Sequence, residues 1–259
     1  MKVKDITDII ESFAPLSVQE DWDNSGLIVG SPLQKVHGVL LGFDCTPELV
    51  DEAIEGGEDL IITHHPLIYK GIRRIAPEDP VGLALIKAIG HGIAVYAAHT
   101  SADKVIEGVS GAMARKLGLA DIRVLDPDGD RTGMGAVGTL PAPLSSAEAI
   151  SLVKKAFNLD TVRCSRPLET TISTVAVCGG SGSSLIELAR LSGAQLYITG
   201  DITYHHFFTP EGFMLMDIGH FESEVEIVSI LFSILKKKIP TFAIRTSTRI
   251  NNSNPIYYL

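Results

Sequence analysis

The chain has 259 residues, and its 22 lysines and arginines against 31 aspartates and glutamates give a formal net charge of −9. With 45% hydrophobic and 20% charged residues, the composition excludes a disordered chain and is typical of a folded protein of one or two domains. The acidic balance disfavours a nucleic-acid partner, because neutralising phosphates requires a surplus of cations on some face.

The apolar runs, the N-terminal segment and the cysteines predict neither a membrane protein nor a disulfide-stabilised one. No run of about 18 apolar residues is free of charge, so no membrane span is expected. The amphipathic segment at residues 1–11 is interrupted by acids and lacks the apolar core of a signal peptide. Cys45, Cys164 and Cys178 show no C-x-x-C spacing and are expected to be reduced, mostly buried thiols. A cytoplasmic location is therefore predicted.

Apolar runs alternate along the chain with segments of helical period, in the order strand, helix, strand. The predicted strands are Val36–Phe43, Asp59–Thr63, Ile93–Ala98, Gly135–Leu140, Ile172–Cys178, Gln195–Thr199, Phe213–Ile218 and Thr241–Arg245. The predicted helices are Thr46–Glu55, Val81–Ile89, Val105–Leu117, Ser145–Phe157, Ser183–Leu191 and Glu222–Lys237. Such alternation predicts an α/β architecture with largely parallel or mixed sheets.

One polar, turn-rich segment is the best candidate for a boundary between two lobes. This segment, Asp126–Gly133, contains three aspartates, two glycines and a proline. We therefore expect residues 1–126, together with 221–259, to form a first α/β lobe, and residues 127–220 to form a second.

Most of the histidines follow predicted strands. In parallel α/β folds, ligands collect at the carboxyl ends of the strands. The histidines at such positions are His64, His65, His99, His205, His206 and His220. A single strand-end histidine is more often structural, but several strand ends that each carry one predict a shared site. His37 and His91 lie outside this pattern and are expected to be structural or surface residues.

Two carboxylates add to this set of donors. Asp103 and Glu224 each lie four residues after a strand-end histidine, His99 and His220 respectively. On a helix, that spacing puts both side chains on one face. A set of nitrogen and oxygen donors without sulfur favours zinc, iron, manganese, cobalt or nickel over calcium or copper(I). Because a typical catalytic zinc site uses only about three protein ligands, the larger set predicts two ions bridged by a carboxylate.

Two loops leave alternatives open. Cys178–Ser183 connects a predicted strand to a predicted helix, where backbone N–H groups can hold an anion, but it lacks a P-loop lysine and is equally compatible with a tight turn. Asp21–Leu27 combines the single tryptophan, Trp22, with polar turn residues. A generic loop is the default interpretation there, and a loop facing a site is the alternative.

Taken together, several segments resemble the Nif-three-like dinuclear metal-centre family, whose members are often labelled GTP cyclohydrolase I type 2 homologues. The matching segments run through most of the chain and are Trp22–Leu27, Gly42–Thr46, Asp59–Leu67, Ala98–Asp103, Gly179–Gly182, Ile198–Asp201 with Tyr204 and His205, and Gly219–Glu224. Each segment is weak evidence alone, but their order and combination are specific.

The resemblance implies both a fold and a site. It implies two α/β lobes with a dinuclear metal site in the cleft between them, and a ring-shaped homohexamer. The implied metal ligands are His64, His65, Asp103, His220 and Glu224, with Glu224 or Asp103 able to bridge the ions. His99 is implied either as a ligand or as a residue that orients Asp103. Larger members carry an inserted domain, for which 259 residues leave no room.

The leading functional hypothesis is a divalent-metal-dependent hydrolase of a small, nucleotide-like substrate. Two cations would activate a water, and His99 and His205 are the candidates for accepting or returning its proton. The GTP cyclohydrolase label implies opening of a guanine ring with release of formate, and this substrate is carried by the resemblance alone. The alternative is a non-enzymatic metal-binding module for regulation or protein interaction in a toroidal assembly.

Overall fold

The computed structural model describes residues 1–250 and 253–257. Two compact units make up the chain. Unit 1 consists of Met1–Ala102 and Ile227–Leu259, and unit 2 consists of Asp103–Glu226.

The described helices and strands follow the predicted alternation. The helices are α1 (Val3–Phe13), α2 (Pro47–Gly56), α3 (Pro80–Gly90), α4 (Thr100–Asp103), α5 (Val109–Lys116), α6 (Ser146–Phe157), α7 (Ile186–Leu191), α8 (His220–Glu224) and α9 (Glu226–Lys238). The strands are β1 (Gly26–Val29), β2 (Gly38–Leu41), β3 (Leu60–Thr63), β4 (Ala94–Ala97), β5 (Ala120–Pro127), β6 (Gly133–Leu144), β7 (Arg163–Cys164), β8 (Ile172–Val177), β9 (Leu196–Thr199), β10 (Met214–Asp217) and β11 (Ala243–Thr246).

The predicted lobe boundaries, after residues 126 and 220, both fall inside unit 2. The turn-rich segment Asp126–Gly133 joins β5 to β6, whose antiparallel register pairs Pro127 with Gly133 and Asp126 with Met134. Its aspartates and glycines therefore belong to a hairpin connection within one sheet, and not to a linker between units. The chain instead divides after Ala102 and after Glu226.

Unit 1 is built on a five-stranded sheet with the order β1-β4-β3-β2-β11. Neighbouring strands are parallel except for β1, which runs antiparallel to β4 with Gly26 opposite Ala97. The carboxyl ends of β2, β3 and β4 consequently share one edge with the amino end of β1. Side chains that follow β2, β3 or β4, and those that precede β1, therefore meet at that edge.

Local sequence signals explain where α2, which begins beside this edge, starts and ends. The Thr46 hydroxyl accepts a hydrogen bond from the Leu49 amide at 3.3 Å, and Pro47 occupies the first turn. Gly57, with φ of 75°, ends the helix in the left-handed conformation. The apolar face of α2 packs with α3 on the sheet, around Leu49 and Ile61. Burying a side chain of this size contributes about 1.5–3 kcal/mol.

Unit 2 is built on a six-stranded mixed sheet with the order β5-β6-β8-β9-β10-β7. The central strands β8, β9 and β10 are parallel, whereas the other pairings are antiparallel. The carboxyl ends of these three parallel strands share one edge, followed by the residues Cys178, Gly200 and Ile218. The two mixed sheets confirm the predicted α/β class. In the part of the chain that the structure describes, no helix has the length and apolar character needed to cross a membrane.

Candidate metal centre

His64 directly follows β3 and is completely buried. Its Nδ1 lies 2.9 Å from the backbone oxygen of Ala98, the residue that follows β4. A carbonyl oxygen can only accept a hydrogen bond, so Nδ1 must be the donor and carry the proton. With its proton on Nδ1, a neutral His64 ring would carry its lone pair on Nε2, the nitrogen through which it could ligate a metal ion.

His65 is oriented in the same way by the neighbouring strand. Its Nδ1 lies 2.8 Å from Oδ1 of Asp44, which follows β2. The carboxylate fixes the same tautomer, again leaving Nε2 as the donor atom. The two imidazole rings lie 4.8 Å apart, and the Phe43 ring contacts both of them. Pro66 follows His65, and the pair leaves the strand together as the sequence predicts.

The third histidine of this group is His99, which follows β4. Its ring centroid lies 5.4 Å from that of His64 and 5.3 Å from that of His65. Its Nδ1 lies 2.7 Å from Oδ1 of Asp23. Unit 1 thus brings together the three histidines that the sequence places at two strand ends, each with Nδ1 against an oxygen acceptor.

Asp23, like Asp44, contacts a site histidine although it is not among the residues predicted from the sequence. Its side chain is fully covered, and its Oδ2 accepts hydrogen bonds from the hydroxyls of Ser25 and Thr100, each at 2.6 Å. Burial alone would raise the pKa of Asp23, but the hydrogen bonds from His99, Ser25 and Thr100 hold it well below the ordinary value of 3.8. The Asp21–Leu27 loop therefore faces the histidines, and Asp23 remains a carboxylate beside His99.

In unit 2, His220 and Glu224 form the first and last residues of α8. His220 Nδ1 lies 2.8 Å from Oδ2 of Asp201, and His220 Nε2 lies 3.0 Å from Oε2 of Glu224. With its proton on Nδ1, a neutral His220 would face the Glu224 carboxylate with a lone pair. A contact of this kind needs either a proton, on Nε2 or on the carboxyl group, or a metal ion between the two atoms.

The glycine loop after β8 lies directly against this pair. Gly180 has φ of 58°, and a Cβ added to it would lie 2.3 Å from Oε1 of Glu224 and 3.2 Å from Cε1 of His220. The Gly180 amide donates to the Ser223 hydroxyl at 2.9 Å, and the Gly182 amide donates to Thr199 Oγ1 at 2.9 Å. These two amides serve the fold, so the structure favours the tight turn over the anion site.

Asp103, the last residue of α4, belongs to unit 2 together with Glu224. Both carboxylates affect the pKa of the same buried thiol, Cys178. Burial is the largest cause and the negative charges of Asp103 and Glu224 add to it, so that the pKa of Cys178 is raised to about 12. The two predicted carboxylate ligands therefore lie around Cys178, at the end of β8. All three cysteines are free thiols, with Cys45 and Cys178 buried and Cys164 partly exposed.

The other histidines lie in different surroundings. His205 is exposed on the short 3₁₀ turn Tyr204–Phe207, and its ring centroid lies 5.3 Å from that of Tyr204 and 6.5 Å from that of Phe208. Its assignment as a proton carrier stays a prediction. His37 and His91 are exposed, with His37 Nδ1 2.7 Å from Asp59.

The donor chemistry of these residues fits a divalent transition metal. His64, His65 and Glu224 are residue types that can hold a metal ion, each through one nitrogen or oxygen atom. His64 and His65 have Nδ1 against an acceptor, so each would coordinate a metal ion through Nε2, and His220 has a carboxylate at each of its ring nitrogens. The glycine loop accommodates the Glu224 carboxylate without a side chain of its own.

Comparison with known proteins decides the family. The sequence profile described as Duf34/NIF3 (NGG1p interacting factor 3) matches residues 1–255. The chain belongs to the DUF34/NIF3 family. A relative from Clostridium acetobutylicum, named GTP cyclohydrolase 1 type 2 homolog, is 34% identical over 259 residues, covering 98% of this chain and 97% of its own length. The resemblance inferred from the motifs is confirmed.

Solved structures of DUF34/NIF3 relatives share the whole fold. A hypothetical protein from Staphylococcus aureus is 28% identical, with a TM-score of 0.91 over 100% of this chain and 99% of its own. A Bacillus cereus protein related to NIF3 is 23% identical, with a TM-score of 0.93 over 100% of this chain and 99% of its own. At 23% identity, the similarity to the Bacillus cereus protein shows a shared fold and nothing more.

Proposed function

We propose that the chain is a divalent-metal-dependent hydrolase that acts on a small, nucleotide-like substrate. The observation that carries this proposal is the orientation of the histidines. His64 and His65 each have Nδ1 within 2.9 Å of an oxygen acceptor, so a neutral ring would bind a metal ion through Nε2, and His220 lies between two carboxylates, with Nδ1 2.8 Å from Asp201 and Nε2 3.0 Å from Glu224. Histidines held in this way by carboxylates and carbonyls are typical of metal ligands.

The proposed ligand set combines nitrogen and oxygen donors. It consists of His64, His65, Asp103, His220 and Glu224. Five such donors suit two ions of zinc, iron, manganese, cobalt or nickel. The nucleotide-like substrate class is supported by the name of the Clostridium acetobutylicum relative, GTP cyclohydrolase 1 type 2 homolog. We further propose that the protein is a cytoplasmic homohexamer.

His99 is the proposed proton carrier of unit 1. When bound, divalent cations supply a Lewis acid and an activated water. The Asp23 carboxylate contacts Nδ1 of His99. The other ring nitrogen, His99 Nε2, is therefore the atom that can accept a proton and return it to the leaving group. The Asp23 carboxylate, whose pKa lies well below 3.8, stays charged and stabilises the protonated ring. His205 is proposed as a second proton carrier.

The proposal is tested by metal analysis of the purified protein, followed by assay of GTP, GMP and guanosine for release of formate and phosphate. We expect turnover that is abolished by a chelator and restored by one of the five metals. His65→Ala and Asp103→Ala should lower turnover at least a hundredfold, because each removes a ligand. His37→Ala is the matched control, since His37 is an exposed histidine that pairs with Asp59.

Two results would contradict the hydrolase. Turnover retained in both His65→Ala and Asp103→Ala would remove the proposed ligands from the reaction. Stoichiometric metal without turnover of any tested nucleotide would favour a metal-binding module for regulation or protein interaction instead.

A further inference from the structure

Three aromatic rings in unit 1 form a nearly equilateral triangle. The ring centroids of Trp22, Tyr69 and His99 lie 5.8, 6.0 and 6.1 Å apart, and each pair of rings is inclined by 67–75°. Such edge-to-face contacts are the favoured geometry of aromatic pairs. His99 also contacts His64 and His65, so this triangle shares one corner with the group of histidines.

Two members of the triangle are exposed although they are held in place. Trp22 is 56% exposed and Tyr69 is 50% exposed. Asn24 ties the two loops together by donating from its side-chain amide to the backbone oxygen of Ile68 at 2.7 Å. Two adjacent aromatic rings beside a candidate catalytic histidine therefore present open surface on which a planar ligand can stack.

The loop that carries Tyr69 is long and basic. It connects β3 to α3 through residues 64–79, which exceeds the roughly 12–15 residues beyond which unstructured loops are usually functional. Lys70, Arg73 and Arg74 follow Tyr69 and are exposed. Residues 64–77 of this loop contain no aspartate or glutamate, and its two acids, Glu78 and Asp79, are its last residues before α3. This loop places positive charge within a few residues of the aromatic surface.

We propose that Trp22 and Tyr69 bind the base of a nucleoside monophosphate by stacking, and that Lys70, Arg73 and Arg74 bind its phosphate. This proposal rests on the proposed function and assigns residues of the chain to the parts of its substrate. Aromatic side chains stack with any base through its π-face, and guanidinium groups bind phosphate oxygens in pairs. His99, at the shared corner of the triangle, would then lie beside the bound base.

Trp22 is the only tryptophan in the chain, so intrinsic tryptophan fluorescence reports directly on this surface. The experiment titrates metal-free protein with GMP, guanosine and ribose 5-phosphate, correcting the fluorescence for nucleotide absorbance and measuring affinity by calorimetry. We expect GMP and guanosine to quench the fluorescence and ribose 5-phosphate to bind without quenching.

The variants separate stacking from charge. Trp22→Leu and Tyr69→Leu should each weaken GMP binding roughly five- to hundredfold, the usual effect of removing one stacking ring, whereas Trp22→Phe should retain most of the affinity. Replacing Arg73 and Arg74 together by alanine should weaken GMP and ribose 5-phosphate but leave guanosine unchanged. The matched controls are Tyr257→Leu, another exposed aromatic, and the paired replacement of Lys237 and Lys238 by alanine.

Unchanged tryptophan fluorescence at saturating GMP, or GMP affinity retained in both leucine variants, would overturn the proposal, as would failure of GMP to bind. These outcomes are independent of the hydrolase test, because the titration needs neither a metal nor turnover. Metal-dependent turnover that persists in Trp22→Leu would leave the proposed function standing without this binding surface.

Discussion

Nδ1 of His99 lies 2.7 Å from Oδ1 of Asp23, a residue 76 positions earlier in the chain. The contact arises because β1 and β4 are antiparallel neighbours, which puts the residues before β1 beside those after β4. The same carboxylate accepts a hydrogen bond from the Thr100 amide at 3.1 Å, so one buried acid positions both His99 and Thr100 after β4. The His99 ring is consequently held in one tautomer and one orientation.

We expect Asp23→Asn to lower the free energy of unfolding by about 2–3 kcal/mol at neutral pH, because an amide cannot accept all the hydrogen bonds that the carboxylate accepts. Chemical denaturation of the metal-free protein measures the change. Asp21→Asn is the matched control in the same loop, since Asp21 is exposed, and it should change stability by less than about 0.5 kcal/mol. Equal stability of the two variants would show that Asp23 does not hold this region together.

The surroundings of Glu52 lead us to predict that the stability of unit 1 depends on pH. It is buried and accepts hydrogen bonds from Ser247 and Arg245, both at 2.6 Å, and from the Thr248 amide at 2.9 Å. Burial opposes ionisation, but these hydrogen bonds prevail and lower the pKa of Glu52 to about 2, against an ordinary value of 4.5. Its contribution to stability is therefore complete above pH 4.5 and is lost as the pH falls through about 2.

We accordingly expect Glu52→Gln to cost about 2–3 kcal/mol at pH 7 and progressively less as the pH is lowered below 4.5. Urea denaturation across this pH range measures the difference. Glu55→Gln is the control on the same helix, because Glu55 is exposed and pairs with Arg249 at 3.4 Å, and a surface pair contributes less than about 1 kcal/mol. A loss that is constant with pH would contradict the assignment.

Much of the fold could be predicted from local signals. The apolar runs that became β2, β3 and β4 and the capping residues Thr46 and Gly57 are sufficient for their elements. Three edge strands lack a strong local signal: β1 is a four-residue run directly after a polar loop, β5 mixes exposed charged residues with apolar ones, and β7 has only two residues. The α1 segment was recognised as amphipathic without being assigned as a helix.

The grouping of His64, His65 and His99 could be predicted from strand ends, but the acids that orient the histidines could not. Asp44 follows β2 and contacts His65 after β3, and Asp201 follows β9 and contacts His220 after β10. In each case the acid belongs to the neighbouring strand. Which acid meets which histidine therefore depends on the order of strands in the sheet, and this order is not determined by the local sequence.

Substitution of Gly180 tests whether close packing of the backbone positions the Glu224 carboxylate. Gly212→Ala, at φ of 79° with open space around it, should cost only the roughly 1–2 kcal/mol of the left-handed conformation. Gly180→Ala should cost about 1–3 kcal/mol more, because its Cβ would collide with Glu224. Denaturation and metal titration measure both effects, and metal affinity should fall only in the Gly180 variant. Equal costs for the two substitutions would contradict the proposed packing.

Thiol reactivity tests the surroundings of Asp103 and Glu224. Burial, with a smaller effect of Asp44, raises the pKa of Cys45 to about 12, and Cys178 reaches the same value. Because the thiolate is the reactive form, iodoacetamide should label the partly exposed Cys164 on the order of tenfold faster than either buried cysteine. Mass spectrometry of the native protein gives the labelling rates. Rapid labelling of Cys178 would place it outside the acidic, buried surroundings described above.

Anomalous diffraction from a metal-loaded crystal would show whether these histidines and carboxylates hold two divalent cations. We predict two anomalous peaks about 3.5–4 Å apart, ligated by His64, His65, Asp103, His220 and Glu224. Peaks ligated by other residues, or no peak after metal loading, would contradict the proposed metal centre.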